Sequence, residues 1–71
     1  MPKQTSTIPK APLARILMDA GAKRVSQEAL EIFAQLLEER TTEIATQAAR
    51  ISKHSGRKTV QKGDVMLAAR Q

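Results

Sequence analysis

The residues best suited to chemistry in this sequence are cations that stand just before predicted helices. Lys23 and Arg24 lie in one short loop, and Arg57 and Lys58 lie in another. Lys and Arg donate hydrogen bonds to phosphate oxygens, and a helix N-terminus adds unpaired N–H groups and a positive dipole. We therefore predict that both loops bind the phosphates of a polyanion. A merely solvated basic loop is the simpler alternative.

Arginine offers a second kind of contact with nucleic acid. Arg15 and Arg24 are candidates for insertion into a narrow minor groove, where the negative potential is enhanced. An ordinary ion pair with an acid on the same helix is the alternative for Arg15.

Catalysis has little support in the sequence. His54 is the single histidine, and neither a nucleophile motif nor a carboxylate at helical spacing accompanies it. Glu38 and Glu39 are adjacent, so on a helix they point in different directions. The chain contains no Cys and no Gly-rich nucleotide-binding motif. We expect no enzyme activity, no cofactor, no metal site and no small-molecule substrate.

The charge is unevenly distributed along the 71 residues, which carry a net charge of +5. Residues 1–25 hold five bases and one acid, residues 26–49 one base and five acids, and residues 50–71 six bases and one acid. A basic excess of this size indicates a polyanionic partner, either nucleic acid or an anionic membrane surface. The partner should contact the ends of the sequence and the loops.

The chain lacks the apolar run of about 20 residues that spans a bilayer. Its first ten residues also lack the apolar segment of a signal peptide. We therefore expect a cytoplasmic protein that has no association with a membrane.

Apolar periodicity predicts three helices, over residues 12–19, 27–54 and 62–70. Pro12 suits the first turn of a helix, and Ser26 is a good N-cap for the long second helix. The plan is all-α, with a short helix, a long helix and a short helix.

The loops and the tail complete this plan. Residues 21–25 and 55–60 are loops, and Gly21 is expected to end the first helix. Residues 1–10 are read as a flexible N-terminal tail, and residues 11–71 as the folded domain.

An internal repeat supports two helix–loop–helix units that share the long helix. Displacing the chain by 35 residues superposes residues 11–36 on residues 46–71. The identical pairs are Ala14/Ala49, Arg15/Arg50, Ile16/Ile51, Gly21/Gly56, Lys23/Lys58, Val25/Val60 and Ala34/Ala69.

A chain this short, with only Phe33 as an aromatic residue, buries too little surface to be stable without help. Two short helices on a long one leave an apolar stripe, which a second copy can cover. In an antiparallel pair the first loop of one copy lies beside the second loop of the other, and Val25 can pair with Val60 between chains.

Several of these segments together resemble the archaeal histones, over about residues 8–70. The matching segments are Ala11–Ile16, Asp19–Ala22, Arg24–Ser26, His54–Val60 and Asp64. The resemblance implies the histone fold and a handshake dimer that binds duplex DNA with little sequence preference. It also implies that dimers, formed with itself or with a paralogous histone, join into nucleosome-like or fibre-like assemblies.

The resemblance assigns roles to single residues. Arg15 and Arg24 correspond to arginines that face the minor groove, and Lys58 and Thr59 to residues that contact the DNA backbone. Ser26 is also expected to be a DNA-binding residue. Arg57 and Asp64 resemble a buried ion pair, so Arg57 is a candidate both for DNA contact and for orienting its loop.

Other positions are implied in assembly. Gly21 matches a small residue where successive turns of a wrapped fibre approach each other. The positions that match the contact between dimers are Ile51, His54, Asp64 and Leu67.

Two alternatives stay open. The first is a histone-fold interaction module in a heteromeric assembly, because one fold serves many functions. The second is a sequence-specific helix-turn-helix regulator, although the central helix is too long for that motif.

Overall fold

The computed structural model describes residues 7–70. It contains three helices, α1 (Lys10–Asp19), α2 (Gln27–His54) and α3 (Lys62–Ala69), and no strand within the described residues. The all-α prediction is confirmed, and both ends of the long helix lie where the sequence predicts them. The pairing of Val25 with Val60 requires a second chain and stays a prediction.

The first helix begins two residues before the predicted start. Pro9 occupies the N-cap position in an extended conformation, and Pro12 is the third helical residue, where its missing N–H costs nothing. Ile8 packs against the core, and the Thr7 amide donates a hydrogen bond of 2.7 Å to Glu38 Oε1. The last residues of the predicted tail are therefore joined to the folded unit, while residues 1–6 lie outside the described residues.

Gly21 ends α1, as predicted. Its φ of +121° is a conformation that side chains rarely allow, and its N–H donates to Met18 O at 3.0 Å. Ala20 and Ala22 donate to Ile16 O and Leu17 O, which satisfies further carbonyls of the last turn.

The predicted cap of α2 is also confirmed. The hydroxyl of Ser26 accepts a hydrogen bond of 3.0 Å from the Ala29 amide, and Glu28 lies in the first turn. At the other end Gly56 has a φ of +72°, and its N–H donates to Lys53 O at 2.9 Å. Glycines in left-handed conformation thus follow both helices that lead into basic loops.

The described chain falls into two compact units that divide between Glu39 and Arg40, within α2. This division agrees with the predicted repeat. The first unit has an apolar core of Leu13, Leu30 and Ala34. The partly buried residues packed on it are Ile8, Ala14, Leu17, Val25, Phe33 and Leu37.

The second unit has a smaller and more polar interior. Its buried apolar residues are Ala48 and Ala68, and its buried polar residues are Ser52 and Asp64. Alanines bury little area, so hydrophobic burial within this unit contributes less than in the first.

Large apolar side chains stay exposed along all three helices. Ile32 and Leu36, one turn apart on α2, are 56% and 57% exposed. The others are Ile16 and Met18 on α1, Val65, Met66 and Leu67 on α3, and Val60 in the second loop. Exposed apolar surface of this kind marks a site of interaction with another molecule. Within residues 7–70 no helix is both long enough and apolar enough to cross a membrane.

Candidate nucleic-acid interface

The first basic loop presents its cations to solvent. Lys23 and Arg24 are exposed, and neither side chain has a hydrogen bond or an ion pair within the described residues. Ser26 follows them and is occupied as the N-cap acceptor of α2, which leaves its hydroxyl proton available to an acceptor. The loop can therefore offer two charges and one hydroxyl to a phosphate.

Arg15 is placed in the second turn of α1 and is exposed. No acid of the described residues pairs with it. Among the described residues the alternative of an ion pair on the same helix is therefore absent, and the guanidinium is available to another molecule.

The second loop is held by a buried hydroxyl. Ser52, which is 3% exposed, donates through Oγ to Arg57 O at 3.1 Å and to Thr59 O at 3.0 Å. One hydroxyl hydrogen is shared between two carbonyls, a three-centre arrangement that fixes both ends of the turn.

An ion pair completes this loop. Arg57 Nη1 and Nη2 donate to Asp64 Oδ2 and Oδ1, each at 2.9 Å, and Nη1 also lies 3.2 Å from Thr59 O. The predicted ion pair is present, with Asp64 buried and the Arg57 side chain 33% exposed. Because the guanidinium is committed to Asp64 and to the loop, this geometry favours the orienting role of Arg57 over a phosphate contact.

The carboxylate of Asp64 is 5% exposed and is surrounded by donors. The Gln61 amide, at the N-cap of α3, donates to Oδ2 at 2.8 Å. The hydrogen bonds from Arg57 and then from this amide lower the pKa of Asp64 to about 2, against the opposing effect of desolvation. Asp64 also interacts favourably with the positive N-terminal end of the α3 dipole. Because an acid already occupies this helix end, phosphate affinity at this loop must come from side chains.

Lys58 and Thr59 are the exposed members of the second loop. The side chain of Lys58 has no hydrogen bond or ion pair within the described residues. Thr59 holds the loop through its carbonyl while its side chain stays at the surface. The network below them thus presents one cation and one hydroxyl in a fixed turn.

The positions expected at a contact between dimers all lie in the second unit. His54 and Leu67 are exposed, Ile51 is half-buried and Asp64 is buried. Gly21, expected where fibre turns approach, is exposed in the first unit, and a Cβ built on it would meet no atom within 4 Å.

Two structural residues escaped the sequence reasoning. Ser52 holds the second loop, and its only signal is a spacing of four from buried Ala48. Arg40 donates to Glu43 Oε1 and to Ala69 O, both at 3.1 Å, and so ties the end of α3 to α2. No local pattern could reveal the second contact, because 29 residues separate its partners.

Known proteins resemble this chain over nearly its whole length. Residues 6–69 match the family described as histone-like transcription factor (CBF/NF-Y) and archaeal histone. The chain is similar to a subunit of the archaeal histone HAN1 from Thermococcus zilligii, with 43% identity over 63 residues, which are 89% of this chain and 94% of that protein. It is also similar to probable archaeal histone 3 of Methanocaldococcus jannaschii, with 49% identity over the same shares of the two chains.

The structure has a short, a long and a short helix joined by two basic loops. The family match extends over both units and agrees with this arrangement. The chain has the histone fold and belongs to the family of histone-like transcription factors (CBF/NF-Y) and archaeal histones, whose archaeal members are DNA-binding chromatin proteins.

Proposed function

We propose that this chain binds double-stranded DNA with little sequence preference, and that it bends and compacts the chromosome. The observation that carries the proposal is that both units contain exposed cations that have no partner within residues 7–70. Lys23 and Arg24 supply them in the first loop and Lys58 in the second, with Arg15 on α1. Contacts to phosphates fix a protein on DNA but read no sequence, so tolerance of sequence follows from this composition.

The functional unit is a handshake dimer, the arrangement characteristic of the histone fold. The exposed apolar residues of the three helices support it, since a second copy would remove them from water. In the antiparallel pair each first loop adjoins the second loop of the partner copy. The cations then form two clusters on one dimer. The partner is a second copy of this chain or a paralogous histone.

Dimers join further through the second unit. His54 and Leu67 are exposed there, Ile51 is half-buried and Asp64 is buried. Repetition of this contact would place DNA around a continuous protein core. Gly21 would keep successive turns close because it adds no side chain.

Digestion with micrococcal nuclease tests wrapping directly. The pure protein is reconstituted on a long duplex at moderate salt, and we expect protected fragments that grow by a regular increment. The matched control changes Lys23, Arg24 and Lys58 to Gln, which should abolish protection while sedimentation still shows a dimer. A wild-type dimer that protects no fragments contradicts the proposal.

A heteromeric interaction module is the second candidate. One relative is named as a subunit, which favours a histone built from more than one chain. Sedimentation and circular dichroism of the chain alone separate the two candidates. A helical homodimer supports the first, and a chain that folds only with a different histone supports the second.

A further inference from the structure

The second unit contains an open cavity of about 430 Å³ beside its basic loop. Its volume falls in the range of small-ligand sites, about 300–1,000 Å³. The last two turns of α2 form one side and the loop forms the other. The lining residues are Ala49, Arg50, Ser52, Lys53, Arg57, Lys58 and Val60.

Four of the seven lining residues are cations and none is an acid. Arg57 is neutralised by Asp64, but Arg50 and Lys53 are exposed and have no partner within the described residues. Lys58 likewise has no partner in the part of the chain that the structure describes. Three uncompensated charges therefore surround one concave space, which raises the local concentration of anions.

The wall of the cavity is fixed before any ligand arrives. The hydrogen bonds from Ser52 hold the backbone at Arg57 and Thr59, and the ion pair holds Arg57 itself. An anion would therefore order only the lysine and arginine side chains on binding, which lowers the entropic cost.

The internal repeat connects this cavity with the predicted DNA contacts of the first unit. Arg50 is the repeat counterpart of Arg15, and Lys58 is that of Lys23, and in each unit the second cation follows the first by eight positions. Lys53 replaces an apolar residue, Met18, at the corresponding place. Thr59 stands at the counterpart of Arg24, so relative to the first unit the second gains one uncompensated cation at Lys53 and loses one in the loop.

We propose that Arg50, Lys53 and Lys58 form a phosphate-binding site at this cavity, so that the anion contact of the second loop extends onto α2. The site rests on the proposed function where its phosphate comes from the DNA backbone. A free inorganic polyphosphate has the same chemistry and is the other source.

The salt dependence of binding to a short duplex tests the DNA source. Arg50→Gln and Lys53→Gln each remove one cation from an exposed helical position and should leave folding intact. We expect each change to reduce the slope of log affinity against log salt by about 0.9, the value for one lost phosphate contact. Arg70→Gln removes an exposed charge outside the cavity and should leave the slope unchanged.

A titration with sodium tripolyphosphate, followed by ¹H–¹⁵N NMR, tests the free source. If the amide signals of the cavity residues shift saturably in the wild type and not in the Arg50→Gln/Lys53→Gln double variant, the site is assigned to free polyphosphate as well. Reduced slopes without such shifts assign it to the DNA backbone alone. Unchanged slopes together with no saturable shift overturn the site. A wild-type protein that binds no duplex contradicts the proposed function, and the titration then decides the site by itself.

Discussion

The side chains of Arg57 and Asp64 meet through two parallel hydrogen bonds of 2.9 Å and so join the second loop to the first turn of α3. Seven residues separate them in sequence, and the Gln61 amide donates to the same carboxylate. Loop conformation and the start of α3 are therefore stabilised by one group. The dependence of the unfolding free energy on pH in acid should therefore report on this ion pair.

The charge of Asp64 should stabilise the fold at neutral pH. Its pKa of about 2 lies below the ordinary value of 3.8, so the contribution is complete above about pH 4 and is lost as the pH falls through about 2. We expect urea unfolding at fixed protein concentration to show a steeper loss of stability over this range for the wild type than for Asp64→Asn. Equal slopes for the two proteins would contradict the role of the pair.

Ser52 should contribute more to the free energy of unfolding than its small side chain suggests. Ser52→Ala leaves the carbonyls of Arg57 and Thr59 without their shared donor, and we expect a loss of about 1–3 kcal/mol in the free energy of unfolding. Thr46→Ala is the control, because that hydroxyl donates to Thr42 O on an exposed part of the same helix. A loss no larger than that of the control would show that the loop holds itself without Ser52.

Arg24 should act on all DNA sequences alike. Arg24→Ala removes an exposed, unpaired charge, so affinity should fall to a similar extent on unrelated duplexes, with the salt slope reduced by about 0.9. Fluorescence anisotropy on duplexes of different base composition measures both quantities. A strong loss on one sequence alone would indicate base readout instead.

Two glycines should respond to alanine in opposite directions. Gly21→Ala forces a side chain into a backbone with φ of +121° and should cost about 1–3 kcal/mol. Gly63→Ala lies within α3 in open space and should stabilise by up to about 1 kcal/mol. Thermal unfolding of both variants checks the signs, and a neutral Gly21→Ala would show that this turn relaxes.

The role of Gly21 in fibre stacking needs a separate measurement. Fibre compaction on long DNA should be compared at a temperature where Gly21→Ala is still fully folded. Compaction equal to the wild type would remove the stacking role, whatever the change in stability.

Helix positions can be predicted well where local chemistry determines them. Ser26 before α2 and the glycines after α1 and α2 act on the nearest turn of backbone, so their effect is visible in the sequence. The apolar pattern places the start of α1 too late because Pro9 and the isolated Ile8 show no periodicity. Ile8 is recruited by tertiary packing, which a local pattern does not contain.

The candidate site is predictable in its charges and not in its geometry. The two basic loops are evident from Lys23, Arg24 and Lys58. The network from Ser52 joins atoms of α2 to the loop carbonyls, and the cavity beside it depends on that network. Such relations arise only when the loop has folded back on its helix.

The second unit has an interior of alanines and leaves large apolar side chains exposed. This combination has a consequence for gene dosage. When partner association supplies the missing core, each tenfold dilution of the chain weakens the folded dimer by about 1.4 kcal/mol. Chain synthesised below the concentration needed for pairing would stay open to proteolysis. The amount of protein made would then set both how much DNA is covered and how much of the protein survives.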